Sequence, residues 1–233
     1  MTKRCIESAL AQDIDTHVLV IDNGSTDGTA TYLRTLPIKR VTLITNLEPL
    51  GLNAVWNNAL DIAFDSLCLE HALVINNDTV LMPHTYRLLR DDGGLFVTGV
   101  SVDKMEQTEH ADVSSKSPHP SFSCFLIREQ VWRRVGRFDE RFWAWASDGD
   151  YHLRMDKLGI DAYALDIPFY HQVSGTLKQT LLEDRDFHNE LCARSDLDRK
   201  EFERKWGCAI GSKQYYSVFR KQRNNKYQET GRL

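Results

Sequence analysis

Residues 72–81 read ALVINNDTVL. Leu73, Val74 and Ile75 run straight into Asn76-Asn77-Asp78, and apolar character resumes with no glycine between. A short apolar run bounded by turn residues is the signature of a buried strand. How that strand ends has two readings. Asn and Asp are ordinary turn residues, because their side chains satisfy local backbone groups. The same oxygens also suit a hard divalent cation, which needs only one or two protein carboxylates when phosphates and waters fill its other positions. In that reading Asp78 is the ligand.

Outward from this strand the pattern repeats. HVLVI (17–21) reads as a buried strand and runs into the polar loop DNGSTDGT, where Thr26 or Asp27 is placed to cap a helix reaching about Arg34. RVTLIT (40–45) is a second strand. From Gly51 onward, Leu52, Val55, Trp56, Ala59, Leu60 and Ala63 recur at helical spacing, giving an amphipathic helix that ends near Asp65. HALVI (71–75) is the third strand, Pro83 suits the first turn of a short helix, and Gly93-Gly94 precedes a fourth strand, LFVTGV. Strands alternating with helices predict an α/β fold with largely parallel strands in this half. Ligands on such sheets gather at the carboxyl ends of strands, where DNGSTD and NND both fall. A shared cleft is expected.

Downstream, residues 103–120 are polar and read as a loop, and PSFSCFLI (120–127) as a strand. The dense segment GRFDERFWAWASDGDYHLRM leads into a helix stopped by Gly159, then a strand IDAYALD, then IPFYHQVSGT. Beyond Gln179 a charged helix extends to about Trp206. The tail from Ser212 carries Lys213, Arg220, Lys221, Arg223, Lys226 and Arg232 against Glu229 alone. It is either a solvated end or a contact with an anionic membrane surface, while Tyr215, Tyr216 and Phe219 are equally suited to pack on the domain.

Composition bounds the answer. The chain has 233 residues, 42% hydrophobic and 27% charged, enough for one sizeable core and against global disorder. A net charge of −4 argues against a protein that coats nucleic acid. No apolar run approaches a membrane span, and MTKRCIESAL lacks the apolar segment of a signal peptide. Five scattered cysteines without a C-x-x-C pair fit reduced thiols in the cytoplasm better than disulfides or a zinc site.

Two more features carry chemistry. His171, in PFYHQVSGT, is either a satisfied structural histidine or a metal ligand; beside a carboxylate, imidazole is acceptable to Mn²⁺. In Ser147-Asp148-Gly149-Asp150, Ser147 can be an N-cap, Asp150 a capping-box acid, and Arg154 its partner one turn on. The aromatic run FWAWA before it, containing Trp143 and Trp145, points instead to a pocket. Such a pocket would suit a sugar stacked on rings, with one carboxylate within hydrogen-bond reach of an acceptor hydroxyl as a general base.

Taken together, VLVIDNGSTDGT, GLNAVWNNAL, VINND, VGRFDERFWAWASDGDYHLR, YHQVSGT and a late KWG resemble the family 2 glycosyltransferases in order and spacing, across residues 3 to about 207. The resemblance implies a GT-A fold: a Rossmann-like, mostly parallel central sheet flanked by helices. Its nucleotide-binding half would cover about 1–100 and its acceptor half about 120–207, with 208–233 as a basic tail. It also implies inverting transfer of a sugar from a UDP-, dTDP- or GDP-sugar, with Mn²⁺ or Mg²⁺, to a glycan or lipid-linked acceptor, and no nucleic-acid partner.

By position, Asp22, Asn23 and Ser25 would face the nucleoside, and Gly51, Asn53 and Asn57 the helix entrance near the donor. Asn76 and Asn77 lead to the metal-binding Asp78, and His171 completes the metal site. Asp148 would be the base and Asp150 a supporting acid, with Trp143 and Trp145 on the acceptor side. Three departures from the family accompany this. The triplet keeps a single carboxylate, so metal binding would depend on the donor phosphates. Ser147 stands where the family has Glu. The family's opening strand has no counterpart before TKRCIESALAQ, so the expectation is a truncated start, a substituting segment or impaired donor binding. The competing readings are a degenerate relative that binds nucleotide sugar or glycan without turnover, and a nucleotidyltransferase or dinucleotide-binding protein. The absence of a G-x-G-x-x-G and of a P-loop weighs against the last.

Overall fold

The computed structural model describes residues 1–109, 121–172, 181–182 and 185–217. In chain order the elements are α1 (Thr2–Leu10), β1 (Val18–Asp22), α2 (Thr29–Leu33), β2 (Val41–Thr45) and α3 (Leu52–Asp61), which a π-turn extends over Ile62–Ser66. Then come β3 (His71–Ile75), β4 (Thr79–Val80), α4 (Thr85–Asp91), β5 (Phe96–Val102) and a 3₁₀ turn (Met105–Glu109). The remainder is β6 (Cys124–Arg128), α5 (Glu129–Val135), α6 (Ser147–Lys157), β7 (Ala162–His171) and α7 (Arg185–Trp206).

The strands form two sheets. β1 and β2 pair in parallel, and a five-stranded sheet runs in the order β3-β6-β5-β7-β4. Parallel pairing is confined to β1·β2 and β5·β7; β6 enters antiparallel between β3 and β5, and β4 pairs antiparallel with β7. The sheet is therefore mixed. Strand β6, between β3 and β5, is apolar on both faces: Cys124, Phe125, Leu126 and Ile127 are all fully buried. That is why the segment reads as a continuous run rather than an alternating one.

Alternation along the strands sorts the core into two layers. Phe96, Phe125 and Ile127 face α3, α5 and α6, meeting Trp56, Leu60, Phe64, Trp132 and Tyr151. Val97, Cys124 and Leu126 face the other way, toward Leu81, Leu89 and Phe169. Each such large apolar side chain contributes roughly 1.5–3 kcal/mol on burial, so β5 and β6 anchor the fold. A third cluster joins Phe142, Ala146 and Leu153 to Phe202 and Tyr215, with Cys208, Ile210 and Tyr216 against it. Packing thus continues past Trp206, and Tyr215 is fully buried. Phe219 and the basic residues from Arg220 on lie outside the described residues.

Helix ends follow local chemistry. Gly159, at φ +64°, turns the chain out of α6, and the N–H of Ile160 reaches back to the Met155 carbonyl. The start of α6 differs from a simple cap. Ala146 precedes it in the left-handed region at φ +61°, and among the described residues the buried Ser147 hydroxyl has no hydrogen-bond partner. Ser147 is thus the first residue of the helix, not its cap.

Candidate functional site

The carboxyl ends of β3, β5 and β7 and the amino end of β6 meet along one margin of the sheet. Ile75 pairs with Cys124, Val102 with Tyr170, and Thr79 with His171. Asn76 donates its N–H to the Ser123 carbonyl, and Thr79 N–H returns to the Asn76 carbonyl at 3.2 Å, closing a turn. The turn reading of Asn76-Asn77-Asp78 therefore holds for its backbone. The Cys5 thiol, pushed up to about 12 chiefly by burial, lies 3.3 Å from the Asn76 carbonyl. Asn77 Nδ2 reaches Thr2 Oγ1 at 3.3 Å. Both asparagines thus tie the turn to α1.

Asp78 points elsewhere. Its Oδ1 lies 3.3 Å from His171 Nε2, with both side chains mostly buried, while Gln172 N–H caps the Asp78 carbonyl. The other ring nitrogen, Nδ1, lies 3.1 Å from Ser123 Oγ and 3.4 Å from Ser101 Oγ. A hydroxyl partner at Nδ1 fixes the ring's orientation and directs Nε2 toward the carboxylate, as the outer partners of metal-bound histidines do. One carboxylate and one imidazole facing each other fit a divalent cation of the Mn²⁺ or Mg²⁺ kind. Among the described residues no group of three or more His, Cys, Asp or Glu side chains gathers for a metal. Two protein ligands suit a cation that also takes phosphate oxygens.

The residues expected on the donor side are held largely by backbone. Asp22 ends β1, is 4% exposed, and accepts the Ser25 N–H at Oδ1. Asn23 braces the loop before α3: its Oδ1 accepts from Asn46 Nδ2 and Leu50 N–H, and its Nδ2 donates to the Leu50 carbonyl. Asn57 is fully buried and pairs with Phe138 as a strand would, accepting its N–H and donating to its carbonyl. Asn53 donates to the Asp139 carbonyl, and its buried Oδ1 has no partner among the described residues. These two amides lock α3 to residues 138–140. Gly51 touches Trp143 so closely that an added Cβ would stand 3.1 Å from the Trp143 carbonyl oxygen. Leu52 N–H donates to that same oxygen.

The two acids of α6 part company. Asp150 is 1% exposed, accepts from Trp206 Nε1 at 2.8 Å and pairs with Lys205 Nζ at 2.6 Å. Arg154 stands 3.7 Å off. So Asp150 faces α7 and the Lys205-Trp206 pair of KWG, not the capping position. Asp148 is half-buried, accepts only its neighbour Gly149 N–H, and among the described residues pairs with no cation. His152, one turn beyond Asp148, packs on Phe122 with centroids 4.8 Å apart, and the next residue, Ser123, holds His171. Phe122 and Ser123 therefore place the first turns of α6 and the Asp78–His171 pair at the same end of β6.

Trp143 and Trp145 are half-buried. Arg194 of α7 lies over the Trp143 ring at 4.3 Å, and the N–H groups of Trp143, Ala144 and Trp145 all converge on Asp198. Ser123, Ser101, Asp198 and Lys205 carry these contacts; Lys205 was marked only through the KWG block, and the other three had no signal as single residues. Asp198 had one as a pattern: Leu191, Ser195, Asp198 and Phe202 form the buried stripe of α7 at helical spacing.

A mixed α/β sheet flanked by helices is consistent with the GT-A fold. The chain belongs to the glycosyl transferase family 2, whose family model matches residues 1–185. Among solved structures it is similar to the mannosyltransferase PcManGT from Pyrobaculum calidifontis in complex with GDP-Man and Mn²⁺ (TM-score 0.57, 19% identity, 77% of this chain and 56% of that one). It is also similar to S. aureus TarS (TM-score 0.56, 16% identity, 90% of this chain and 42% of that one). A third is GalNAc-T7 with UDP, GalNAc and Mn²⁺ (TM-score 0.54, 12% identity, 72% of this chain and 40% of that one). At these identities the likeness is one of fold, and the chain spans 40–56% of the length of these three. No curated protein matches it by sequence. Among the described residues no helix is long and apolar enough to cross a membrane.

Proposed function

We propose that this chain is a metal-dependent, inverting glycosyltransferase that moves a sugar from a nucleotide-diphosphate donor to a hydroxyl of a glycan or lipid-linked acceptor. The observation that supports it most is the 3.3 Å approach of Asp78 and His171, with the imidazole braced by Ser123. These two side chains would hold Mn²⁺ or Mg²⁺, and the bound cation supplies positive charge against the donor diphosphate. Asp22, Asn23, Ser25, Gly51, Asn53, Asn57, Asn76 and Asn77 form or brace the donor side.

In a single displacement the acceptor oxygen bonds to the anomeric carbon from the face opposite the diphosphate. The bond from that carbon to the diphosphate oxygen breaks, and its electron pair leaves with the diphosphate. Asp148 takes the acceptor proton. It suits that role better than Asp150 because a base needs a carboxylate not already committed to a cation. The first turn of a helix also favours its ionised form. Trp143 and Trp145 lie on the acceptor side, and Asp150 supports the site from within. The setting is the cytoplasm, with the basic tail against an anionic membrane surface where a lipid-linked acceptor resides.

The test is release of nucleoside diphosphate from a panel of UDP-, dTDP- and GDP-sugars with Mn²⁺, comparing the protein with Asp148→Asn. Metal-dependent release that disappears in the variant supports the reading. Calorimetric binding of a nucleotide sugar without release from any donor replaces it with a binding protein derived from the same fold. The single carboxylate of the Asn76–Asp78 turn and the Ser147 position motivate that second reading.

A further inference from the structure

The family match ends at residue 185, yet α7 beyond it is bound into the loop that precedes Asp148. Asp198, 2% exposed, sits on the buried stripe of α7. Burying a carboxylate costs several kcal/mol unless its charge is met. Among the described residues no lysine, arginine or histidine pairs with Asp198. Its charge is met by three successive backbone N–H groups: Trp143 on Oδ1 at 2.9 Å, and Ala144 and Trp145 on Oδ2 at 2.9 and 2.8 Å. Successive N–H groups converging in this way make an anion-binding nest, and here the anion is a side chain of the same protein.

What the nest holds in place is informative. One end of the loop, Trp143, abuts Gly51 and accepts Leu52 N–H at the entrance of α3. The other end leads at once into Ala146, whose left-handed backbone turns the chain into Ser147-Asp148. A non-glycine residue persists in that region only when its surroundings over-determine it. One turn before Asp198, Arg194 covers the Trp143 ring, and one turn after it Phe202 packs with Phe142 and Ala146.

We propose that Asp198 is a positioning residue for glycosyl transfer: by gathering the N–H groups of residues 143–145 it sets the acceptor-side tryptophans and the aim of Asp148. This rests on the assignment of Asp148 as base. Asparagine at 198 keeps the size but offers one acceptor oxygen and two donors, so it opposes at least one of the three N–H groups. Displacement of a catalytic loop by about 1 Å costs on the order of a hundredfold in rate.

The experiment compares wild type, Asp198→Asn and a structural control, Leu191→Ala, which thins the same buried stripe while keeping the Asp198 carboxylate. Three quantities are read: donor affinity, acceptor KM, and the ratio of sugar transferred to acceptor to sugar lost to water. The proposal expects Asp198→Asn to raise acceptor KM and cut that ratio about tenfold to a hundredfold, with donor affinity within about twofold, and Leu191→Ala to leave the ratio unchanged. Equal ratios in Asp198→Asn and Leu191→Ala overturn it. Amide hydrogen exchange on the wild-type protein decides the clamp even where the variant folds poorly. The amides of residues 143–145 should be protected as strongly as those of α7, and exchange at the rate of an open loop overturns the proposal. Lack of turnover by wild type with every donor sinks the enzyme reading alone, and the exchange measurement still decides the clamp.

Discussion

His171 Nε2 stands 3.3 Å from Asp78 Oδ1 because β4 pairs with β7 in a register that sets Thr79 beside His171. Two strands far apart in the chain thus bring an imidazole and a carboxylate to one point, and Ser123, in the turn just before β6, decides which ring nitrogen faces the carboxylate.

The first prediction concerns that serine. Ser123→Ala removes the nearer Nδ1 partner while leaving Asp78 and His171 in place. Loss of such an outer partner costs about 10–100-fold in metal affinity. Calorimetric titration of Mn²⁺ into the protein with UDP present should show this weakening, with little change in thermal midpoint. Unchanged Mn²⁺ affinity would mean that Ser123 merely fills space.

The second separates the two acids of α6. Asp148→Asn should lower transfer by about 10²–10⁴-fold, the span of general base catalysis, and leave stability nearly intact, since Asp148 pairs with no cation among the described residues. Asp150→Asn should do the reverse. It removes one of the two carboxylates that Lys205 meets, Asp139 being the other, and weakens the acceptor of the Trp206 indole N–H; loss of a hydrogen bond to a charged group costs about 1.5–3 kcal/mol. For a domain of this size, each kcal/mol moves the thermal midpoint by about 2–4 °C. Calorimetric melting and nucleoside diphosphate release on both variants would cross over; parallel losses in both would contradict the division of roles.

How much of this was legible beforehand differs by residue. The strands at 71–75 and 17–21 and the helix from Leu52 follow from apolar periodicity, and they are where that pattern puts them. The antiparallel entry of β6 between β3 and β5 was not legible, because a fully buried strand carries no alternation from which to read direction. Asp148 as base and Asp150 as supporting acid were told apart only by the resemblance. They are separated by Trp206 and Lys205, more than fifty residues on, and such long-range pairing leaves no local trace. Ser147 looked like a cap because its type fits, but the left-handed Ala146 takes that position. Asp198 read as one more charge on a charged helix, and only its place on the stripe with Leu191 and Phe202 distinguishes it.

The third prediction tests the seam between the α3 entrance and the Trp143 loop. In Gly51→Ala the new methyl carbon would stand 3.0 Å from Trp143 Cδ1, 3.1 Å from its carbonyl oxygen and 3.3 Å from its Cα. Backbone atoms yield less than side-chain tips, so the loop must move and the Leu52 N–H bond to Trp143 must lengthen. Overpacking of this kind costs about 1–3 kcal/mol. The variant should melt lower and lose transfer to acceptor. Wild-type melting and turnover would show that the loop has slack and that the seam does not constrain the site.

The fourth concerns acid. Burial acts to raise the carboxyl of Asp139, but hydrogen bonds from Arg141 and Lys205 outweigh it and hold the group well below its usual value of 3.8. A carboxyl depressed on folding contributes stability that is fully present above the unfolded value and is lost as pH falls through the folded one. The contribution should therefore be constant between pH 5 and 7 on an order-of-magnitude view and fade only below about 4, where the unfolded chain begins to protonate. Asp139→Asn should melt below wild type at neutral pH, with the gap closing as the pH drops through that range. The same residue offers its carbonyl to Asn53, a bond the substitution keeps, so any loss reports the charge and not the α3 seam. A gap that stays constant down to the acid limit would mean that Arg141 and Lys205 gain nothing from the ionised form.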